Sequence, residues 1–179
     1  MNKSLKIYSI LLLIFLSFSA FCQNSEIDDD YKYATELLKT GDKVPNFNIQ
    51  THDGKMLDFS EFSKGNYVVL DFWASWCPDC IKDAPNVVQM CNKYSSKGVK
   101  FIGVSFDTDK EKWLLAIDKF GLSYTQVCEL VSKAQSPIAK AYGVKWIPSI
   151  YLISPEGKVV VSTVLSYKIE DKLKEIFGE

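Results

Sequence analysis

The chain of 179 residues is long enough for one domain whose core needs no disulfide to be stable. Its composition, 47% hydrophobic and 24% charged, is that of a globular protein. All 21 basic residues are lysines, set against 22 acids, and no clustered basic face predicts a nucleic-acid partner.

The first 22 residues predict a secretory signal peptide or a membrane anchor. Lys3 and Lys6 form a short basic region, and residues 7–21 are apolar apart from one tyrosine and scattered serines. That length is short for a membrane-spanning helix and typical of a signal peptide. Cleavage after Cys22 removes two of the 21 lysines and no acid, which leaves 19 lysines, 22 acids and a net charge of −3.

Three ways of processing this leader stay open. Ala20 and Cys22 are small residues at positions that favour cleavage before Gln23. Cys22 also permits a lipid anchor, although the bulky Phe21 stands where such sites carry a small residue, and an uncleaved anchor is the third alternative. Each of them places the domain outside the cytoplasm, in the periplasm or cell envelope, where disulfides persist.

Residues 23–40 are predicted to be a polar tether ahead of a domain that spans residues 41–179. The tether is acidic at first, residues 31–39 are a candidate short helix, and a solvated spacer is the simplest interpretation. The domain then begins with a predicted β-hairpin, in which strands 47–50 and 55–58 are joined at the turn His52-Asp53-Gly54.

Two cysteines separated by two residues follow a predicted buried strand. Residues 67–73 are almost entirely apolar, and Pro78 stands where a helix can begin. Cys77 then lies at the junction of strand and helix, where unpaired backbone N–H groups and the helix dipole favour a thiolate. Cys80 is one helical turn further on, within reach of Cys77 for a disulfide. This layout predicts a thiol–disulfide exchange site.

The same cysteine spacing also occurs in zinc and iron–sulfur sites. A structural zinc site needs four ligands, usually as two spaced pairs. The other cysteines, Cys22, Cys91 and Cys128, are isolated, and the only histidine, His52, lies in the hairpin turn. The ligand count therefore favours redox chemistry, and no metal or other cofactor is predicted. Cys91 and Cys128 are predicted to be buried free thiols, with a second disulfide between them as the alternative.

The remaining elements alternate between strands and helices. Asp107 or Thr108 is predicted to cap the helix that ends near residue 120. The predicted elements are a helix from residue 78 to about 97, a strand 100–106, helices 110–120 and 137–142, strands 146–153 and 158–164, and a closing amphipathic helix 168–177. This order predicts an α/β sandwich around a mixed sheet.

The run from Asp71 to Cys80, Asp-Phe-Trp-Ala-Ser-Trp-Cys-Pro-Asp-Cys, closely resembles the active-site signature of thioredoxins. The leader, the entry at residues 41–47, the hairpin and the turn at residues 154–158 are similar to the extracytoplasmic TlpA/ResA-like branch. The resemblance covers residues 41–177. It implies thiol–disulfide oxidoreductase activity and a thioredoxin fold, a mixed central sheet flanked by helices on both faces, with an added N-terminal β-hairpin.

The resemblance also implies roles for individual residues. Cys77 matches the attacking thiol and Cys80 the resolving thiol. Asp71 matches a buried acid that moves a proton to or from the second cysteine. Pro148, after Ile147, matches a cis-proline whose loop holds the substrate backbone, although an edge-strand proline is its ordinary interpretation.

Two departures from the family pattern bear on the redox potential. The pair between the cysteines is Pro78-Asp79, whereas thioredoxins carry Gly-Pro and this branch commonly carries Glu-Pro or Pro-Pro. Asp83 falls where the ResA-type branch has a glutamate, which is one methylene longer, and Pro85 matches the kink proline of the first helix. Asp79 and Asp83 also have an ordinary interpretation, as acids that stabilise the first turns of a helix.

Asp71 and Trp76 have further reasons to be candidates. An unpaired carboxylate in an apolar strand is costly and its pKa rises, so Asp71 is predicted to transfer protons, with a structural partner as the alternative. Trp76 is predicted to be an exposed aromatic residue beside the disulfide, and Trp73 a core residue.

The predicted function is the reduction of disulfides in envelope or secreted proteins. Negative charge on Asp71, Asp79 and Asp83 disfavours a thiolate nearby, and a stabilised thiolate is what makes an oxidant. Pro78 argues weakly for the opposite direction, so a disulfide-forming oxidant or an isomerase stays open. The predicted partners are disulfide-bearing protein substrates and an upstream membrane thiol donor, and a monomer is the default.

Other functions fit the sequence less well. A peroxiredoxin-like peroxidase needs a Pro-x-x-x-Thr-x-x-Cys motif and an arginine, and the chain has neither. A copper-delivering metallochaperone needs Cys-x-x-x-Cys and a partner histidine, but the spacing here differs and His52 lies in the hairpin turn. A non-catalytic thioredoxin-like binding module is the remaining alternative.

Overall fold

The structure, a computed structural model, describes residues 28–179. Its strands are β1 (Asn48–Gln50), β2 (Met56–Asp58), β3 (Val68–Trp73), β4 (Lys100–Ser105), β5 (Thr125–Cys128), β6 (Ser149–Ile153) and β7 (Val159–Thr163). Its helices are α1 (Asp30–Tyr33), α2 (Phe59–Ser63), α3 (Pro78–Tyr94), α4 (Lys110–Lys119), α5 (Pro137–Ala141) and α6 (Ser166–Phe177), and a 3₁₀ turn (Ser95–Lys97) follows α3.

Five strands form one mixed sheet in the order β5-β4-β3-β6-β7, and β1 and β2 form a separate hairpin. β3 lies at the centre, parallel to β4 and antiparallel to β6. All six residues of β3 are buried, so both faces of the sheet are covered at its centre. The predicted thioredoxin-like α/β fold with an N-terminal hairpin is confirmed.

Both edges of the five-stranded sheet are covered by residues that precede β3. At the β5 edge, the N–H of His52 in the hairpin turn donates to the Gln126 carbonyl at 2.9 Å. At the β7 edge, the Gly41 N–H donates to the Val159 carbonyl at 2.8 Å, and the Val159 N–H donates to the Asp42 carbonyl at 2.9 Å. The covered edges leave few unpaired backbone groups for edge-to-edge association.

Residues 28–38, called the N-terminal segment below, pack against the domain. The predicted helix is present only as the four residues of α1. Beyond it, Ala34 and Leu37 are buried, and the Leu38 N–H donates to the Tyr151 hydroxyl at 3.1 Å. The segment thus differs from a solvated spacer, because it carries apolar side chains behind its acidic start and these bury area against the sheet.

One predicted helix cap is wrong. Asp109 caps α4, and its side chain accepts hydrogen bonds from the N–H groups of Glu111 and Lys112. Thr108 makes no such bond, and the carboxylate of Asp107 is instead buried among other donors. The prediction considered Asp107 and Thr108 but not the next residue, Asp109, and local sequence does not separate the three, since Asp and Thr both suit the position.

Two elements, β5 and α2, have no counterpart among the predictions. Both are short, and β5 begins with the polar residues Thr125 and Gln126, the second of them fully buried, so it lacks the apolar run that predicts a strand. α2 begins at a cap formed by Asp58, whose side chain accepts from the N–H groups of Ser60 and Glu61.

The predicted signal peptide or anchor, residues 1–22, lies outside the described residues, together with the start of the predicted tether. In the part of the chain from residue 28 onward, no helix has the length and apolar character needed to cross a membrane.

Candidate active site

The N-terminus of α3 holds a disulfide between Cys77 and Cys80, with their Cα atoms 5.3 Å apart. Cys77 is the N-cap residue, with extended backbone, and its sulfur accepts a hydrogen bond from the Cys80 N–H at 3.2 Å. Pro78 is the first helical residue and lacks the N–H that would otherwise be unpaired there. When the disulfide is reduced, the same N–H group and the helix dipole favour a thiolate at Cys77.

The loop before β6 faces this disulfide. The peptide bond between Ile147 and Pro148 is cis, and the Cys77 sulfur lies 3.6 Å from the Ile147 carbonyl oxygen. Ile147 is buried, whereas Trp76, the residue before the first cysteine, is 58% exposed. The disulfide therefore has a backbone acceptor on one side and an exposed indole beside it.

Asp71 is buried in the middle of β3 with one hydrogen bond, from the Tyr124 hydroxyl to its Oδ2 at 3.1 Å. Burial, and after it the nearby charge of Asp83, raise the pKa of the Asp71 carboxyl, the Tyr124 hydrogen bond lowers it, and the net result is a pKa of about 7. An acid with a pKa near 7 can both accept and release a proton at neutral pH.

A narrow cavity connects this acid with the disulfide. Its volume is about 10 Å³, close to the least space that one water molecule needs. It is lined by Asp71, Trp73, Cys80, Asp83, Ala84, Val87, Leu122 and Pro148. Two carboxylates and the second cysteine thus meet around one enclosed space.

Asp83 is held at this cavity by a residue from the far end of the chain. Its Oδ1 accepts hydrogen bonds from the Ser166 hydroxyl at 2.5 Å and from the Asn86 side-chain amide at 2.9 Å. Its Oδ2 is buried and has no hydrogen-bond partner within residues 28–179. Asp79, in contrast, is exposed in the first turn of α3.

A second buried carboxylate, Asp107, holds the backbone ahead of the cysteines. It accepts hydrogen bonds from the Ser75 N–H at 2.9 Å, the Ser75 hydroxyl at 2.6 Å and the Ser105 hydroxyl at 2.6 Å. The Trp73 indole N–H donates to the side chain of Gln126 at 3.0 Å, which fixes the other end of the same turn.

Sequence reasoning missed the residues that support these acids. Tyr124 and Ser166 lie 53 and 83 residues away from the carboxylates they contact, and Gln126 lies 53 residues from Trp73. None of these three residues carries a local sequence signal, because each contact joins residues that are far apart in the chain.

The two remaining cysteines within the described residues are free and buried. The Cys91 sulfur lies 3.3 Å from the Ser95 hydroxyl, and the Cys128 thiol donates to the Asp107 carbonyl at 3.2 Å. Burial raises the pKa of the Cys128 thiol, so at neutral pH it is protonated and a poor nucleophile.

Comparison with known proteins points to the same thiol–disulfide chemistry. The family model described as AhpC/TSA matches residues 40–162 of this chain. The thiol-disulfide oxidoreductase ResA of Bacillus subtilis (strain 168) is 33% identical over 125 residues, which cover 70% of this chain and 67% of the relative. A relative of the same name from Bacillus cereus (strain ATCC 10987 / NRS 248) is 30% identical over 161 residues, 89% of this chain and 88% of the relative.

A solved structure gives the same result for the fold. The thiol-disulfide oxidoreductase from Bacteroides fragilis NCTC 9343 matches with a TM-score of 0.70 and 32% sequence identity. The match covers 75% of this chain and 99% of that chain.

Proposed function

The chain belongs to the AhpC/TSA family, and we propose that it is the reductant of disulfides in envelope or secreted proteins. Its relatives are named thiol-disulfide oxidoreductases, and this chain is a thiol–disulfide oxidoreductase. The observation that carries the proposal is the disulfide between Cys77 and Cys80 at the N-terminus of α3, beside the cis bond of Pro148.

The reaction begins with Cys77 as a thiolate. It attacks one sulfur of a substrate disulfide, the substrate S–S bond breaks, a mixed disulfide forms, and the other substrate sulfur leaves as a thiolate that takes a proton. Cys80 then attacks the Cys77 sulfur, the mixed disulfide breaks and the second substrate thiol leaves. The substrate has gained two electrons and two protons, and the protein ends with the Cys77–Cys80 disulfide.

Asp71 takes the proton of Cys80 in the second step. The cavity that it shares with Cys80 supports this role, since it has room for a single bridging water. The pKa of Asp71, raised to about 7, matches it to proton transfer at neutral pH. Asp83 contributes a negative charge beside Asp71, which keeps that pKa high.

Substrate binding is assigned to the loop beside the disulfide. Ile147 and Pro148 offer backbone groups within reach of Cys77, and a substrate strand that lies there places its sulfur near the attacking thiolate. Trp76 gives the substrate an exposed aromatic surface next to the cysteines.

The direction of electron flow follows from the acids around the cysteines. Asp71, Asp79 and Asp83 place negative charge near the dithiol, which disfavours the thiolate and so favours the disulfide form of the protein. A protein that prefers its own disulfide gives electrons to its substrate. Each turnover then requires a donor that reduces the Cys77–Cys80 disulfide, and a membrane thiol donor suits a domain that works outside the cytoplasm.

The experiment is a measurement of the equilibrium reduction potential of the purified protein in thiol redox buffers. A value near −270 mV, at the thioredoxin end of the scale, supports a reductant. A value near −120 mV, as in the strong oxidant DsbA, overturns the proposed direction and favours disulfide formation.

Cys77→Ser is the companion experiment for the site itself. We expect the variant to lose the reduction of insulin disulfides with dithiothreitol as the electron source, because no mixed disulfide can form at this position. Cys91→Ser is the matched control, since Cys91 is a buried free thiol on the same helix. If Cys77→Ser retains activity and Cys91→Ser loses it, the assignment of the attacking thiol is wrong.

A further inference from the structure

A groove of about 420 Å³ begins beside the disulfide and ends at the N-terminal segment. Its floor is one face of α3, where Asp79, Lys82, Asp83 and Asn86 follow each other at helical spacing. Pro148 lines the end nearest the cysteines. A polypeptide whose disulfide reaches Cys77 therefore meets this groove with the residues that flank its own cysteine.

The N-terminal segment forms the far wall of the groove. Tyr33 lines it, and the Tyr33 ring stacks on the Trp146 ring with centroids 4.2 Å apart and planes at 25°. Asp30 fastens the segment there, since its carboxylate accepts hydrogen bonds from the Thr163 hydroxyl at 2.8 Å and the Val164 N–H at 2.7 Å.

The charge of the groove is mostly negative. Among its lining residues are three carboxylates, those of Asp29, Asp79 and Asp83, against one ammonium group, that of Lys82. Apart from Asn86 and Ser166, the other lining side chains are aromatic or aliphatic, among them Tyr167, which is 55% exposed. Lysine and arginine suit such walls, because their stems pack on apolar surface while their heads meet carboxylates or aromatic faces.

We propose that this groove binds the segment of the substrate next to its disulfide and selects segments that carry lysine or arginine. The proposal rests on the proposed function and specifies its substrates. Two observations carry it: the groove is continuous with the cis-proline end of the active site, and its charge is complementary to a cationic peptide. Asp29 and Tyr33 are the specificity residues that the N-terminal segment adds.

The test uses three peptides, each closed by one internal disulfide, that differ only in having lysine, glutamate or glutamine beside the cysteines. The reduced protein is mixed with each peptide and the second-order rate constant is measured. Each value is divided by the rate constant of the same peptide with dithiothreitol, which removes differences in intrinsic reactivity. We expect the lysine peptide to exceed the glutamate peptide by about tenfold at low salt, with a smaller ratio at high salt.

Two variants locate the preference in the N-terminal segment. Asp29→Lys is expected to lower the lysine-to-glutamate ratio by about threefold or more. Asp118→Lys, the same charge change at an exposed position on α4 outside the groove, is expected to leave the ratio unchanged. Tyr33→Ala should slow the lysine peptide, while Tyr33→Phe, which keeps the ring, should not.

The outcomes separate this inference from the function it builds on. Equal normalised rates for the lysine and glutamate peptides, or equal changes in Asp29→Lys and Asp118→Lys, overturn the groove proposal. Reduction of the glutamine peptide in those cases shows that the proposed function stands without it. If none of the three peptides is reduced, the proposed function has failed, and the specificity proposal falls with it.

Discussion

Asp71 lies on β3, and Asp107 lies just beyond the end of β4, the neighbouring parallel strand. Both aspartates are buried, but they differ in the hydrogen bonds that they receive. The Asp107 carboxylate accepts three, two from Ser75 and one from Ser105, at 2.6 to 2.9 Å. The Asp71 carboxylate accepts one, from the Tyr124 hydroxyl at 3.1 Å. Burial alone therefore does not make an acid reactive, because a carboxylate with enough donors remains stable in its charged form.

The difference assigns the two acids to different tasks. Asp107 holds the turn that leads into Cys77, and its hydrogen bonds stabilise the fold. Asp71 shares a cavity with Cys80, has a pKa near 7 and lowers stability whenever it is ionised. Two buried aspartates thus differ in the number of donors around them, and the proposed proton transfer falls to the one with fewer.

Asp71→Asn should produce the largest change in stability. The Asp71 carboxyl has an ordinary pKa of 3.8 when unfolded and a pKa of about 7 in the fold. Its neutral form is therefore favoured by folding, and the stability it contributes is complete below about pH 4 and lost as the pH rises through 7. A shift of about three pKa units corresponds to about 4 kcal/mol of unfolding free energy. The wild type loses this stability at high pH, whereas the Asp71→Asn variant does not, because asparagine does not ionise.

The measurement is urea unfolding of the oxidised protein between pH 4 and pH 9. The variant should match the wild type near pH 4, exceed it increasingly up to about pH 7, and exceed it by a constant amount from there to pH 9. It should also reduce disulfides more slowly, because the proposed proton acceptor of Cys80 is gone. A stability difference that is the same at pH 5 and pH 9 would contradict the raised pKa of Asp71.

Asp107→Asn should have the next largest effect on stability, and in the opposite direction, because it removes a stabilising carboxylate. The amide has one acceptor oxygen where the carboxylate has two, so at least one buried donor loses a charged partner, at a cost of about 2 kcal/mol. The loss is measured by the same urea unfolding experiment. Asp109→Asn is the matched control, since asparagine caps a helix as well as aspartate does. Equal losses in both variants would contradict a stabilising role for the buried hydrogen bonds of Asp107.

The sequence could predict the reactive half of this comparison better than the structural half. An aspartate inside an apolar strand, followed by two cysteines and a helix-starting proline, predicted where Asp71, Cys77 and Cys80 lie in the fold, while their catalytic roles stay predictions that also draw on the resemblance to thioredoxins. Asp107 or Thr108 was predicted to cap a helix, and the actual role of Asp107 was missed because it depends on Ser75, 32 residues earlier in the chain. Local sequence shows that an acid is present but does not show how many donors will surround it.

The same limit explains the other differences between prediction and structure. Docking of the N-terminal segment depends on Asp30 reaching Val164, 134 residues further on, and its acidic composition favours a solvated spacer. Ser166 reaches Asp83 across 83 residues. The alternation of strands and helices was predicted, since it depends on local periodicity, whereas the supports of the active site come from contacts between distant residues.

Tyr124→Phe should produce the smallest of these effects and the most specific one. The variant removes the one hydroxyl that donates to Asp71, and this hydrogen bond lowers the pKa of the carboxyl. The pKa of Asp71 should therefore rise further above 7, with about 1 kcal/mol of stability lost at alkaline pH and little at acidic pH.

Carbon-13 NMR titration of the Asp71 carboxyl measures the shift directly, and Tyr31→Phe, at an 83% exposed tyrosine, is the control. The pH profile of the step in which Cys80 resolves the mixed disulfide should move in the same direction, because Asp71 must be ionised to accept the proton. If the titration of Asp71 moves while the rate profile does not, Asp71 takes no part in the resolving step, and its proposed role in proton transfer is wrong.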